Sequence, residues 1–133
     1  MNRLEHLGIA VADLEAAEKI FSDVLGSAPY KREEVEDEGV LTSFLRAGES
    51  KVELLASTTE DGPIARHLDR RGPGLHHVAF FVDDLPAELD RLQRLGYRVI
   101  SGPKPGADNK TIAFLHPSDT AKVLVELCAE GQG

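Results

Sequence analysis

The alternation of apolar and polar positions predicts that the chain begins with a β-strand and continues into an amphipathic helix. From His6 to Val11, bulky side chains alternate with small or polar ones, which is the period of a strand with one buried face. Asp13 is placed to cap the following helix, and Gly26 is placed to end it. The apolar stripe of this predicted helix consists of Ala16, Ala17, Ile20, Phe21, Val24 and Leu25.

The remaining pattern predicts three more strands, a linker helix and a second copy of the same β-α-β-β-β order. The further strands of the first half cover residues 29–35, 40–47 and 50–56, with a hairpin turn near Gly48. A short helix is predicted over residues 63–71. The second half follows with a strand at 75–82, a helix at 86–95, strands around 97–100, 111–115 and 122–128, and a Gly/Pro-rich loop at 101–110.

Two matching sequence phrases support this internal repeat. H-L-G-I-A-V-A-D-L begins at His6, and H-V-A-F-F-V-D-D-L begins at His77. Each half closes with a strand-like run that carries one Glu among apolar residues, namely Glu53 and Glu126. Because these features recur in one order, we predict one domain over residues 1–133. Its first module spans about 4–57, its linker helix about 58–73 and its second module about 74–129.

The four repeated polar residues are flanked by residues that favour burial. A buried, ionised carboxylate costs several kcal/mol unless it has a partner. Two solutions are open: buried Glu–His hydrogen bonds, or one divalent cation bound by both pairs. The repetition favours the cation, since two pseudo-twofold halves would bring both pairs to one point. Two nitrogen and two carboxylate ligands without a thiolate suit Mn, Co, Ni, Zn or Fe.

The predicted fold class is α+β, with two βαβββ modules forming a curled mixed sheet around a metal cleft and the helices outside. Such a domain leaves a sheet edge or face to cover, so we expect a homodimer. Cys128 lies two residues from Glu126 and is expected to fill the core rather than to bind metal. His116 ends a strand at a turn, where it either caps the turn or touches a substrate.

Composition and charge exclude several classes of function. The 133 residues include 15 Lys and Arg against 23 Asp and Glu, a formal charge of -8. Nucleic-acid and anionic-membrane surfaces need clustered positive charge, so neither partner is expected. No apolar run approaches the roughly 20 residues of a membrane helix, and the N-terminus does not look like a secretory signal. A single cysteine fits a reducing compartment, so we expect a cytoplasmic protein.

The paired His…Glu modules resemble the vicinal oxygen chelate superfamily, and within it the methylmalonyl-CoA epimerases. The more specific phrases are G-P-I-A-R-H-L from Gly62, G-P-G-L-H-H-V-A-F from Gly72 and A-F-L-H-P from Ala113. The resemblance implies an isomerase that interconverts (2R)- and (2S)-methylmalonyl-CoA by α-proton abstraction and a metal-stabilised enolate. It also implies an acyl-CoA substrate and one divalent metal ion per chain.

At the matching positions of this sequence, the resemblance implies that the metal ligands are His6, Glu53, His77 and Glu126. It also implies that Glu126 transfers protons. Inversion needs an acid and a base on opposite faces of the carbon. Because the two glutamates come from equivalent strands of the two halves, we expect Glu53 to be the second catalytic group. Two alternatives stay open: an enzyme like lactoylglutathione lyase (glyoxalase I), and a non-catalytic protein that binds a small molecule.

Three positions depart from the epimerase pattern. Some members carry a carboxylate where this chain has Thr42, so the second acid/base could instead come from Glu36, Asp37 or Glu38. The loop at 106–110 reads G-A-D-N-K, where many epimerases read G-A-H-G-K. The segment at 119–124 reads D-T-A-K-V-L, where they usually have small Gly residues. Both segments lie where a substrate is expected, so the acyl group could differ.

Overall fold

The computed structural model describes residues 2–131 of the chain. Within this range there are eight strands and three α-helices, besides short 3-10 turns. The strands are β1 (Arg3–Ala10), β2 (Lys31–Val35), β3 (Val40–Ala47), β4 (Ser50–Ser57), β5 (Gly74–Phe81), β6 (Val99–Pro105), β7 (Lys110–Leu115) and β8 (Val125–Glu130). The helices are α1 (Leu14–Leu25), α2 (Pro63–Arg71) and α3 (Leu85–Arg94).

The described chain divides into two compact units. The first unit contains residues 6–76, and the second contains residues 77–131 together with residues 2–5. The element order is β1-α1-β2-β3-β4 in the first half and β5-α3-β6-β7-β8 in the second, with α2 between them. The predicted α+β class and the paired βαβββ modules are therefore confirmed. Among the described helices, none combines the length and apolar character needed to cross a membrane.

In the first unit the strands follow the order β2-β3-β4-β1. β1 runs parallel to β4, and the other two pairings are antiparallel, so the sheet is mixed. Helix α1 begins at the predicted cap, where the Asp13 side chain accepts a hydrogen bond from the Ala16 amide at 3.0 Å. It ends at Gly26, whose left-handed φ of 77° suits a residue without a Cβ.

The core of the first unit lies between α1 and one face of its sheet. Leu14 and Ala17 pack against Leu54 and its neighbours on β3 and β4. Burying a leucine fully stabilises the fold by roughly 1.5–3 kcal/mol, so this layer holds the helix on the sheet. Three residues of the predicted apolar stripe lie outside it: Ala16 is exposed, Ile20 is 58% exposed and Val24 is 72% exposed. Periodicity placed them near the apolar face, but the sheet covers only the part of the helix turned toward it.

The second unit repeats this arrangement with the strand order β5-β8-β7-β6. β5 runs parallel to β8, and the other pairings are antiparallel. Helix α3 is capped by Asp84, which accepts from the Ala87 amide at 3.1 Å. Leu85 and Leu89 pack against Leu127 and other apolar residues of the sheet. In each unit, the sheet face opposite α1 or α3 is therefore not covered by that helix.

The structure corrects one predicted loop. Residues 101–105 belong to β6, which pairs with β7, and only the short stretch from Gly106 forms a turn. The Gly and Pro residues of this segment are accommodated because the β6–β7 register shifts twice, between Val99 and Ser101 and again before Lys104. An edge strand with irregular pairing can accommodate Pro, because Pro has no backbone N–H to donate to a neighbouring strand.

Candidate functional site

Strand β4 carries the first predicted glutamate on the face that α1 leaves uncovered. Side chains alternate along a strand, so Val52 and Leu54 enter the core under α1 while Glu53 points to the opposite face. There Glu53 meets His6 of β1: the distance from His6 Nδ1 to Glu53 Oε2 is 3.1 Å. Both side chains are buried. The structure thus brings together the His and Glu that the first module predicts, although they lie 47 positions apart in the sequence.

The second unit forms the equivalent pair. The distance from His77 Nε2 to Glu126 Oε1 is 3.2 Å, and both side chains are buried. The strand register is the same in the two units, because Phe114 lies opposite Glu126 as Phe44 lies opposite Glu53. The His77 ring also meets the Phe114 ring edge-on, with centroids 5.8 Å apart. His77 therefore lies between the Glu126 carboxylate and the Phe114 ring of β7.

The geometry of each pair agrees with both solutions left open by the sequence. Separations of 3.1 and 3.2 Å are hydrogen-bond distances, and among the described residues no buried side-chain nitrogen or oxygen lacks a partner. Each pair also offers one imidazole nitrogen and one carboxylate oxygen to a cation. Cys128 is fully buried in a core cluster with Ala79 and Ile112, and its Sγ donates to the Phe80 carbonyl at 3.6 Å, as expected for a residue that fills the core. The donor set fits a divalent ion of intermediate softness.

Sequence reasoning missed two buried charged residues beside the first pair. Lys51 shares the face of Glu53, since both occupy alternate positions of β4, and Lys51 Nζ lies 3.9 Å from Glu53 Oε2. Glu5 directly precedes His6 on β1 and is also buried. Strand alternation could have identified Lys51, because residues two apart share one face. The burial of Glu5 had no comparable signal.

The predicted substitutes for the absent carboxylate at Thr42 do not lie on the buried face. Thr42 itself is buried on β3, two residues from Phe44 and on the same side of the strand, but it offers only a hydroxyl group. The acidic residues form a 3-10 turn between β2 and β3, where none of them is buried. These three are Glu36, Asp37 and Glu38. Of the predicted acid/base groups, Glu53 and Glu126 are therefore those that the structure buries beside histidine.

His116 acts as a cap in this structure. Its Nδ1 accepts a hydrogen bond from the Ser118 amide at 3.1 Å, at the start of the turn that leads toward β8. In the same turn, Arg98 binds Asp119 through both its guanidinium and its backbone amide, and this holds the pKa of the Asp119 carboxyl at about 2. The segment that leads into β8 is thus held in place by these side-chain hydrogen bonds.

Both segments that depart from the epimerase pattern contain left-handed residues other than glycine. In the β6–β7 turn these are Asp108 and Asn109, with φ of 58° and 54°. Before β8 they are Ala121 and Lys122, with φ of 58° and 68°. Asn and Asp tolerate this region better than Ala or Lys, so the second segment is the more strained one. The small Gly residues expected there would meet this backbone requirement without strain.

Comparisons with known proteins agree with the fold. The family model described as Glyoxalase/Bleomycin resistance protein/Dioxygenase superfamily matches residues 5–114. An ethylmalonyl-CoA/methylmalonyl-CoA epimerase of Cereibacter sphaeroides is 40% identical over 96% of this chain and 97% of that relative.

Two solved structures extend the similarity to three dimensions. The methylmalonyl-CoA epimerase of Mycobacterium tuberculosis has a TM-score of 0.91 at 36% identity, covering 97% of this chain and 88% of that one. A methylmalonyl-CoA epimerase solved with methylmalonyl-CoA and NH4+ has a TM-score of 0.92 at 33% identity, covering 98% of this chain and 95% of that one.

Proposed function

Because the chain belongs to the glyoxalase/bleomycin resistance protein/dioxygenase superfamily, we propose that it is a metal-dependent epimerase that interconverts (2R)- and (2S)-methylmalonyl-CoA. The observation that carries this proposal is the buried His–Glu pair at the same register in both units. Support for the substrate comes from relatives named as methylmalonyl-CoA epimerases, which match nearly the whole chain. The acyl-CoA substrate and the isomerase activity follow from that similarity.

We assign the metal ligands to His6, Glu53, His77 and Glu126, which would hold one divalent ion per chain, of Co, Mn, Ni, Zn or Fe. The burial of both carboxylates supports this, because a cation compensates their charge in a medium where isolated charge is costly. When bound, such an ion supplies Lewis-acid stabilisation of the negative charge that develops on the substrate oxygens. The histidines would bind it through imidazole nitrogens, and each already has a carboxylate beside its ring.

Proton transfer is assigned to the two glutamates. The α-proton lies between a carboxylate and a thioester and is far less acidic than a glutamic acid, whose reference pKa is about 4.3. Glu126 takes this proton from one face of the carbon, forming the O–H bond as the C–H bond breaks. Glu53, from the equivalent strand of the other half, returns a proton to the opposite face, and this inverts the centre. Burial keeps bulk water from competing with the two carboxylates during the transfer. Between turnovers the two groups exchange protons with solvent, which returns Glu126 to the base form and Glu53 to the acid form and brings solvent deuterium to the α-carbon.

The experiment that tests the function is incubation with a single epimer in deuterated water. We expect the metal-loaded protein to convert (2R)- or (2S)-methylmalonyl-CoA to the mixture and to introduce deuterium at the α-carbon. A parallel incubation with methylglyoxal and glutathione tests for the glyoxalase reaction. Turnover of the hemithioacetal without turnover of methylmalonyl-CoA would replace the proposal, and turnover of neither would favour a binding protein.

The role of Glu126 is tested by Glu126→Gln, with Glu130→Gln as the matched control on the same strand. The control residue is exposed and lies at the end of β8. Loss of a general base typically lowers the rate by about 10²–10⁴-fold, so α-proton exchange should fall by that factor in Glu126→Gln alone. If Glu126→Gln keeps its metal and still exchanges at the wild-type rate, Glu126 is not the base. The homodimer and the cytoplasmic location remain predictions from the sequence.

A further inference from the structure

One phenylalanine reaches the histidine of the second unit from two strands away. Ala113 and Leu115 of β7 enter the core under α3, so Phe114 between them points to the opposite face. The strand order β5-β8-β7 places the strand of Glu126 between Phe114 and His77. Phe114 lies directly opposite Glu126 in the β7–β8 register. Its ring meets the His77 ring edge-on, with an interplanar angle of 87° and centroids 5.8 Å apart.

This contact acts on a torsion that is soft in histidine. Rotation of an imidazole about χ2 has broad, roughly twofold minima, and a half-turn would put a ring carbon in the place of Nε2. In the structure, His77 Nε2 lies 3.2 Å from Glu126 Oε1. Edge-to-face contact is a preferred arrangement of two aromatic rings, so the Phe114 ring stabilises the orientation that directs Nε2 toward the carboxylate.

A phenylalanine can constrain an imidazole without competing for its nitrogens. The phenyl ring has no N–H or O–H group, so it neither donates a hydrogen bond to His77 nor takes a proton from it. The ring of Phe114 is itself held, because it packs against the buried cluster of Ala79, Ile112 and Cys128. A side chain anchored in this way limits the rotation of the imidazole that it touches.

The phenylalanine at the equivalent register of the first unit has different neighbours. Phe44 occupies the position that Phe114 occupies in the second unit. Its ring meets the Tyr30 ring, with centroids 6.0 Å apart, and two ammonium groups. These groups belong to Lys31, 4.8 Å from the ring centroid, and Lys51, 5.8 Å from it. The shared register therefore allows different contacts, and the tertiary structure places Phe114 against an imidazole.

We propose that Phe114 is a positioning residue, which holds the His77 imidazole in the orientation for metal binding and keeps it beside Glu126 for proton transfer. This inference rests on the proposed function, and Phe114 acts through His77 rather than on the substrate. Without the ring, part of the metal-binding free energy would be consumed in ordering the imidazole, so the affinity should fall. Proton transfer should slow as well, because its rate depends steeply on the placement of the reacting groups.

The first measurement uses the metal-free protein and needs no activity. In the wild type, NMR should show one set of His77 ring signals and a nuclear Overhauser effect between that ring and the Phe114 ring protons. In Phe114→Leu, the His77 ring signals should broaden or divide into two sets, because both orientations become populated. Phe114→Tyr keeps the aromatic ring and should retain the single set.

The second measurement uses cobalt(II) and the proposed reaction. Phe114→Leu should bind cobalt(II) about 2- to 12-fold more weakly than the wild type, which is the effect of one aromatic pair. At saturating cobalt(II), kcat for α-proton exchange should fall about 10-fold, while KM for methylmalonyl-CoA changes less than about twofold. Phe114→Tyr should restore both the affinity and kcat.

Phe81→Leu is the matched control for lost packing. Phe81 packs against the same buried cluster as Phe114, but its ring lies under the Arg3 guanidinium, whose Cζ is 4.5 Å from the centroid. The control therefore removes a ring from the cluster and leaves the His77 contact in place. It should keep one set of His77 signals and the wild-type cobalt(II) affinity. Circular dichroism should show that each variant is folded, and Phe114→Met carries the same comparison if Phe114→Leu does not fold.

Three results would overturn the inference. One set of His77 signals and wild-type cobalt(II) affinity in folded Phe114→Leu would show that the ring does not position the imidazole. Equal losses in Phe114→Leu and Phe81→Leu would assign both to packing of the cluster. A wild type that binds no cobalt(II) and exchanges no α-proton would instead refute the proposed function, and the positioning role with it.

Discussion

Replacing the left-handed residues before β8 by glycine should stabilise the protein. The φ angles of Ala121 and Lys122 lie in the region that favours glycine, at 58° and 68°. Hydrogen bonds impose this backbone: the Lys122 amide donates to the Pro117 carbonyl at 2.8 Å, and the Val123 amide donates to the Thr120 carbonyl at 3.0 Å. Both left-handed side chains are exposed, so their removal costs no core packing.

The expected magnitude follows from two opposing terms. A residue with a Cβ in the left-handed region costs about 1–2 kcal/mol, and glycine removes that cost. Glycine also loses more conformational entropy on folding, which is unfavourable by about 0.5–1 kcal/mol. Each substitution should therefore raise the free energy of unfolding by about 0.5–1 kcal/mol. At a few degrees per kcal/mol for a domain of this size, Tm should rise by about 2–4 °C for each substitution.

Urea denaturation of Ala121→Gly, Lys122→Gly and the double variant measures these changes. Ser118→Gly is the matched control, because Ser118 lies in the same segment but has no left-handed φ. The control should lose about 0.5–1 kcal/mol, the ordinary cost of introducing glycine. If Lys122→Gly is destabilised as much as the control, the left-handed backbone is not a source of strain and the reasoning fails.

Three further predictions concern the metal, acid stability and the core. Elemental analysis should find about one divalent ion per chain in the wild type and much less in His77→Ala. The substitution removes one of the four proposed ligands and leaves Glu126 without its imidazole partner. Full metal occupancy in His77→Ala would exclude the proposed site. Arg98 lowers the pKa of the Asp119 carboxyl from an ordinary value of 3.8 to about 2. The ion pair therefore stabilises the fold above about pH 4, and this stabilisation disappears as the pH falls toward 2. In Asp119→Asn, the free energy of unfolding should not show this decrease between pH 4 and pH 2. Leu54→Ala should lower the free energy of unfolding by about 2–5 kcal/mol in urea, since Leu54 is fully buried, and a loss below about 1 kcal/mol would contradict its place in the core.

Much of the fold was predictable because its signals are local. Asp13 and Gly26 define the ends of α1 through chemistry that acts within a few residues, and the structure confirms both. The linker helix was predicted over 63–71, and α2 has those bounds. The repeat also allowed the two His–Glu pairs to be predicted, since equivalent strands of equivalent modules place equivalent side chains in contact.

Other features depended on which strands become neighbours. The segment 101–105 carries the local signals of a loop, yet pairing with β7 makes it part of β6. Ile20 and Val24 fit an apolar stripe, but the sheet of the first unit does not cover them. Periodicity shows which residues share a face of an element, but only the neighbouring element decides how much of that face is buried.

The contrast between local sequence signals and long-range packing is clearest at the candidate site. The pairing of His6 with Glu53 could be predicted from the sequence, because a buried acid on a strand requires a partner. The burial of Lys51 beside them became visible only in the folded chain. A lysine in a strand is ordinarily at the surface, and its burial depends on long-range packing of β1, β3 and β4 that no local pattern encodes.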